Sequence, residues 1–214
     1  MEYNSNRSNE LKTIYIPCYF NGIQEREDNF YKCLENNLKL GYNVCLYWMN
    51  EKEVRVIHKN LKIIKGKRVN ASIARNKLLG IFYNSKEEIA IFSDDDTYIN
   101  NKILIADEID CISLTNDYKK EQKITEKINS SFLIINNFKI KYQLELYFDE
   151  NLEANQDLDF GIQLNNFNIK TLRQSSEDIV IYRGKSSMFS SNMNRINKKQ
   201  KSLDYIKKKY GYDN

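Results

Sequence analysis

The stretch Ile89-Ala90-Ile91-Phe92-Ser93-Asp94-Asp95-Asp96 decides the fold. Four apolar residues form a short buried strand, and the run ends on three adjacent carboxylates. A strand apolar on both faces belongs inside a covered sheet, as parallel strands do. The acids then lie at its carboxyl end, where open α/β sheets collect their ligands. Neighbouring carboxylates repel one another and hold protons more tightly, a conflict that a divalent cation removes. In an extended segment Asp94 and Asp96 point to the same side. Hard oxygen ligands of this kind suit Mg2+ or Mn2+ and leave positions open for phosphate oxygens. The competing reading is a solvated acidic turn after a strand.

The elements on either side agree with this placement. Ile14 to Phe20 reads as a buried strand. Ile23 to Leu40 carries Phe30, Leu34 and Leu38 at helical spacing, with Gly41 as its stop. Tyr42 to Trp48 and Leu61 to Ile64 return to strand, and Asn70 caps a helix with Ala71, Ala74, Leu78 and either Ile81 or Phe82 inward. Strand, helix, strand, strand, helix, strand is the order of an α/β sandwich. Beyond it, Asp110 to Leu114, Ser131 to Asn136, Ile169 to Leu172 and Ile179 to Tyr182 read as strands, and Asp157 to Phe167 as a helix. Ile196, Leu203, Ile206 and Tyr210 space a final helix.

Composition narrows the classes. The 214 residues suffice for one domain, are 41% hydrophobic and 29% charged, and include one proline and seven glycines. That excludes a disordered or collagen-like chain. No apolar run approaches the roughly 20 residues that span a bilayer. Residues 1–10 read as a flexible polar N-terminus without a secretory signal, so a cytoplasmic protein, at most peripheral to a membrane, is expected. The net charge of +4 names no nucleic-acid partner, but residues 192–214 form a basic amphipathic helix. Lysines turned outward on a packed helix explain it; DNA or an anionic membrane surface are the partners it permits. Cys18, Cys33, Cys45 and Cys111 form no Cys-x-x-Cys pair and read as buried thiols. A single histidine, His58, removes most histidine-based chemistry.

Asn70-Ala71-Ser72-Ile73-Ala74-Arg75-Asn76-Lys77, followed by the strand ending in Asp94-Asp95-Asp96, resembles the GT-A-fold glycosyltransferases, most closely glycosyltransferase family 2. Ile14 to Phe20 is similar to the family's first strand and its nucleotide-contacting loop. Phe148-Asp149-Glu150-Asn151-Leu152 and Gln156-Asp157-Leu158-Asp159-Phe160 look like its acidic loop, with Gln156 where Glu is usual. The resemblance covers residues 11–185. It implies a GT-A, Rossmann-like α/β/α sandwich with a mostly parallel central sheet and a C-terminal helix, in one domain over 1–214.

The resemblance also implies a chemistry. A UDP-sugar would be held by Mn2+ or Mg2+ on Asp94 and Asp96, with Pro17, Tyr19, Asn50, Arg75, Asp94, Asp95, Arg183 and Lys185 around the donor. Asp157 would be the general base that takes the proton of the attacking hydroxyl, with Asp159 supporting it on the acceptor side. The acceptor would be a glycan or lipid-linked sugar and the outcome inverting; no obligate protein partner is evident. Arg183 and Lys185 stand where many members carry a metal-binding His. Two other readings remain: a viral transferase acting on hydroxymethylated DNA bases, and a non-catalytic scaffold that binds a nucleotide or glycan. Haloacid-dehalogenase-like phosphatases also end a strand in Asp-x-Asp, but Tyr98 stands where they carry Thr, and their motif normally opens the fold.

Overall fold

The computed structural model describes residues 12–101, 103, 110–115, 123–124, 128, 131–136, 140, 146–181 and 193–211. Arg183, Lys185 and the N-terminal segment 1–10 lie outside the described residues. In chain order the elements are β1 (Thr13–Cys18), α1 (Gln24–Lys39), β2 (Asn43–Trp48), β3 (Leu61–Lys65), α2 (Ala71–Tyr83), β4 (Ile89–Ser93) and β5 (Thr97–Ile99). They continue as β6 (Cys111–Thr115), β7 (Lys123–Ile124), β8 (Phe132–Asn136), α3 (Gln156–Asn166), β9 (Thr171–Ser175), β10 (Ile179–Ile181) and α4 (Met193–Tyr210).

The main sheet runs β3-β2-β1-β4-β8-β6-β9-β7, and β10 pairs with β5 in a small second sheet. The first four strands are parallel, as is the β6–β9 pair. β8 runs antiparallel to β4 and β6, and β7 antiparallel to β9. The fold is the mostly parallel α/β architecture with a C-terminal helix that the sequence predicts. The direction of β8 and the short strands β5 and β7 are additions.

The chain steps from β1 to β2 on one side, then returns from β3 past β1 to β4 on the other. Crossovers of one hand in opposite directions put their helices on opposite faces. Ile14, Ile16, Val44 and Leu46 accordingly pack with Phe30, Leu34 and Leu38 of α1. Tyr15, Cys45, Ala90 and Phe92 pack with Ala74, Leu78 and Phe82 of α2, and α3 adds Phe160 and Leu164 to that same face. All four cysteines are buried and unpaired in these layers. No described helix is long and apolar enough to cross a membrane.

The reversal of direction leaves a crevice between the carboxyl ends of β1 and β4. β1 pairs with β4 only as far as Tyr15 opposite Phe92, whereas its pairing with β2 continues to Cys18. The Cys18 carbonyl accepts from Met49 N on the β2 side, so the Pro17 nitrogen faces β4. Proline has no N–H to donate and is excluded from a paired central position. Here it sits just past the last β4 partner, where the strands part.

The layer between β1, β2 and α1 is aromatic. Phe30 is fully buried, with ring centroids 5.2 Å from Phe20, 5.2 Å from Tyr31 and 5.7 Å from Trp48. Phe30→Ala should cost about 3–5 kcal/mol in urea unfolding, because this interlocked cluster cannot collapse into the void. A cost under about 1 kcal/mol would show that α1 is not fixed by it.

Candidate active site

The crevice is built by two loops. After β1 the chain turns sharply, with Asn21 and Gly22 both at positive φ and Ile23 N bonded to the Phe20 carbonyl. Asn50, just after β2, ties this loop down: its Oδ1 accepts from Phe20 N at 2.9 Å and its Nδ2 donates to the Cys18 carbonyl at 3.2 Å. Tyr19 lies under the Arg68 guanidinium, 4.5 Å from the ring centroid. After β4 the acids do not continue as an extended strand. Thr97 N bonds to the Asp94 carbonyl at 3.3 Å, so Asp95 and Asp96 occupy a tight turn that leads into β5.

Strand alternation up to that turn sends two acids to opposite faces. Asp94 meets α2, where Arg75 Nη2 lies 2.6 Å from its Oδ1. Asp95 meets α1, where Arg26 Nη2 lies 2.8 Å from its Oδ1 and Tyr19 N donates to Oδ2 at 3.2 Å. Asp95 is 2% exposed. Burial pushes its carboxyl above the ordinary value despite Arg26. Burial also opposes the charge on Arg26, but Asp95, with Asp96 and Asp94, holds it more tightly protonated than usual. The Thr97 hydroxyl makes a long 3.4 Å contact with Asp96 Oδ1. Burial, then Asp94 and Asp95, pushes its carboxyl up to about 7.

A second acidic segment reaches the same arginine. The Arg75 guanidinium stands over the Phe148 ring at 5.4 Å, and Phe148 stacks on Phe160 of α3 at 4.4 Å and 11°. Asn76 holds the Phe148 backbone at both ends, accepting from its N and donating to its carbonyl, each at 2.8 Å. Asn76 also donates to Glu150 Oε1, and Asn70 to the Glu150 carbonyl. Asp157 lies in the first turn of α3, partly exposed, with its Oδ1 accepting from Leu158 N at 3.1 Å. Asp159 is fully buried, and its oxygens accept from Gln163, Lys209 and Tyr210.

Among the described residues, no group of three or more His, Cys, Asp or Glu side chains forms a ready metal cage. Asp94 and Asp96 still fit a cation that arrives with a phosphorylated ligand. With Asp95 they make three carboxylates beside the two guanidiniums of Arg75 and Arg26, and burial, then the neighbouring acids, raises the Asp96 carboxyl. Two carboxylates with water and phosphate oxygens suit Mg2+ or Mn2+, which are rarely enclosed by protein alone.

The Asn50 side-chain amide is engaged by the β1 loop, and both Asp95 oxygens are taken by Arg26 and Tyr19. Asp159 lies inside the fold, its oxygens taken by Gln163, Lys209 and Tyr210. Lys209 turns inward, against the expectation of outward lysines, while Lys198 pairs with Glu153 at 2.5 Å on the surface. Tyr19, Arg75, Asp94 and Asp96 do gather at the crevice, and Pro17 lines its edge. Arg26 and Arg68 were not singled out from sequence. Arg26 sits among Gln24-Glu25-Arg26-Glu27-Asp28, which reads as an ordinary solvated helix start.

No protein-family model matches the sequence, and no curated protein matches it. Solved structures do. A GalNAc-T7 structure with UDP, GalNAc and Mn2+ superposes with a TM-score of 0.56 at 11% identity, over 78% of this chain and 43% of that one. The 4-diphosphocytidyl-2C-methyl-D-erythritol synthase of Anaerococcus prevotii gives 0.56 at 9% identity, over 82% and 94%. Protein A197 from STIV gives 0.48 at 12% identity, over 78% and 83%. The chain thus spans less than half of the GalNAc-T7 chain. The likenesses to GalNAc-T7 and the synthase establish a GT-A-like, Rossmann-type α/β fold.

The Asp96 carboxyl gives a stability prediction. Its ordinary value is 3.8 and its folded value about 7, so between these the native state binds more protons than the unfolded one. Stability therefore falls as pH rises from about 4 to 7 and stays lowered above. Asp96→Asn cannot ionise and should gain about 1–2 kcal/mol at pH 8 without divalent cation, after solvent screening. The gain should vanish near pH 4. Urea unfolding across pH measures it, and a pH-independent difference would contradict the assignment.

Proposed function

We propose that this chain, as one domain over residues 1–214, transfers a sugar from a UDP-sugar to a hydroxyl of a glycan or lipid-linked acceptor, with inversion. The observation that carries this reading is the convergence on Arg75. The guanidinium links the carboxylates at the end of β4 to the acidic segment that leads into α3. A nucleotide-binding crevice and a candidate base thereby share one rigid frame. The GalNAc-T7 likeness supports the fold side of the argument, and its bound UDP and Mn2+ suggest the ligands.

In this reading Tyr19 and Arg68 offer the nucleotide a flat cationic face. Arg75 and Arg26 keep positive charge near the diphosphate, where negative charge develops on the leaving group. Asp94 and Asp96 would hold Mn2+ or Mg2+, which supplies further neutralisation of the diphosphate. Asp157 accepts the proton of the acceptor hydroxyl as its oxygen bonds to the anomeric carbon and the bond to the UDP β-phosphate oxygen breaks. Arg183 and Lys185 remain candidates for the diphosphate.

A second reading is nucleotidyl transfer, favoured by coverage of 94% of the cytidylyl-type synthase. It would release pyrophosphate from a nucleoside triphosphate, whereas sugar transfer releases UDP. The acidic segment with Asp157 favours sugar transfer, because nucleotidyl transfer gives it no task. The DNA-base and non-catalytic readings have no observation of their own in the fold.

A panel of UDP-sugars with Mn2+ and candidate acceptors, assayed for UDP release, tests the proposal. Asp157→Asn should lower kcat by roughly 10²–10⁴-fold with UDP affinity unchanged. Weakened donor binding with kcat intact would make Asp157 a binding residue instead. Pyrophosphate release from a nucleoside triphosphate would favour the second reading.

A further inference from the structure

The C-terminal helix brings three polar side chains to two buried acids. Lys209 Nζ lies 2.8 Å from Asp149 Oδ2 and 2.8 Å from Asp159 Oδ1. Tyr205 donates to Asp149 Oδ2 at 3.1 Å, and Tyr210 to Asp159 Oδ1 at 2.9 Å. The two acids are 4% and 0% exposed. The remaining Asp149 oxygen accepts from the backbone and side chain of Asn151, and the remaining Asp159 oxygen from Gln163. Two carboxylates buried together repel each other unless a cation is shared between them. Lys209 is that cation.

The same helix grips the segment between the two acids. Ala154 N donates to the Ser202 hydroxyl at 3.3 Å, and Asn155 donates to the Lys199 carbonyl at 3.0 Å. Ile206, 1% exposed, packs with Leu152 and Ile162. These contacts fall on both sides of Asp157, at Ala154 and Asn155 before it and Asp159 after it. Asn155 adopts a left-handed conformation, φ 55° and ψ 25°, at the entry of α3. Asparagine tolerates that region, and here its side chain is held by the Lys199 carbonyl. Asp157 itself gains its orientation from the helix start that α4 clamps.

We propose that Lys209, with Tyr205 and Tyr210, is the positioning device for Asp157, so that the site is incomplete without α4. This inference rests on the reading of Asp157 as the base. Burial opposes the charge on Lys209, yet Asp149 and Asp159 hold it protonated above the usual lysine range. Against its own burial, Asp149 is held below the usual carboxylate range by Lys209 and the Asn151 amide. A misplaced base costs catalysis more than binding, by up to about 100-fold for about 1 Å of drift.

The test compares full-length Lys209→Met, Lys209→Arg and Tyr210→Phe with the parent. Two measurements are made on each: UDP-sugar turnover with UDP affinity, and native hydrogen exchange over residues 146–163. Lys209→Met should lower kcat about 10- to 100-fold with UDP affinity within about twofold, and should raise exchange at 149–160. Lys209→Arg should restore most of the turnover. Tyr210→Phe keeps the ion pair and should lower kcat several-fold, which serves if the Met variant fails to fold. Unchanged kcat and exchange in Lys209→Met would overturn the proposal. So would a joint loss of kcat and UDP affinity that arginine does not rescue, since that is plain unfolding. If the parent binds UDP but turns over no UDP-sugar, the proposed function fails, and the exchange result alone decides whether α4 fixes the segment.

Discussion

Three carboxylates on consecutive residues at one strand end must be reconciled in a space where they repel, and the structure is arranged around that repulsion. The pleat of β4 sends Asp94 to the α2 face and Asp95 to the α1 face. Each helix answers with one arginine near its start, Arg75 and Arg26. Among the described residues no cation forms an ion pair with Asp96, and burial, then its two acidic neighbours, raises its carboxyl. The β1–β4 pairing ends at Tyr15, ahead of the turn that holds Asp96.

Arg75 does more than balance charge. Its guanidinium lies between Asp94 and the Phe148 ring, and Phe148 stacks on Phe160 of the helix that carries Asp157. Asn76, the next residue, fixes the Phe148 backbone with a reciprocal pair of hydrogen bonds. One turn of α2 therefore sets the relation between the β4 acids and the α3 acids. The far side of α3 is set by α4 through Lys209. Residues of the first half of the chain and of its C-terminal helix thus converge on one frame.

Much of this was legible in the sequence, for physical reasons. The apolar runs of β1, β2 and β4 and the 3.6-residue spacing of α1 and α2 announce themselves, and Asn70 caps α2 as its type suggests, accepting from Ile73 N at 2.8 Å. Strands of two or three residues such as β7 and β5 carry no periodicity to read. The antiparallel run of β8 depends on a connection whose path local pattern does not encode. At the site, the acids after β4 stand out by residue type, and the family resemblance adds Arg75 and Asp157. Neither signal shows that the polar atoms of Asn50 and Asp95 are engaged by Phe20, Cys18, Tyr19 and Arg26, which only the folded loop reveals. Lys209 was hidden in a run of lysines whose other members face solvent, and only the helix register singles it out.

The central claim is that the crevice between β1 and β4 binds a nucleoside diphosphate through a cation on Asp94 and Asp96. Calorimetric titration of UDP into the protein with Mn2+, repeated in EDTA and with Asp96→Ala, tests it most directly. The account predicts binding with Mn2+ that disappears in both other arms while the fold persists. UDP binding of equal strength in all three arms would contradict it, as would no binding in any.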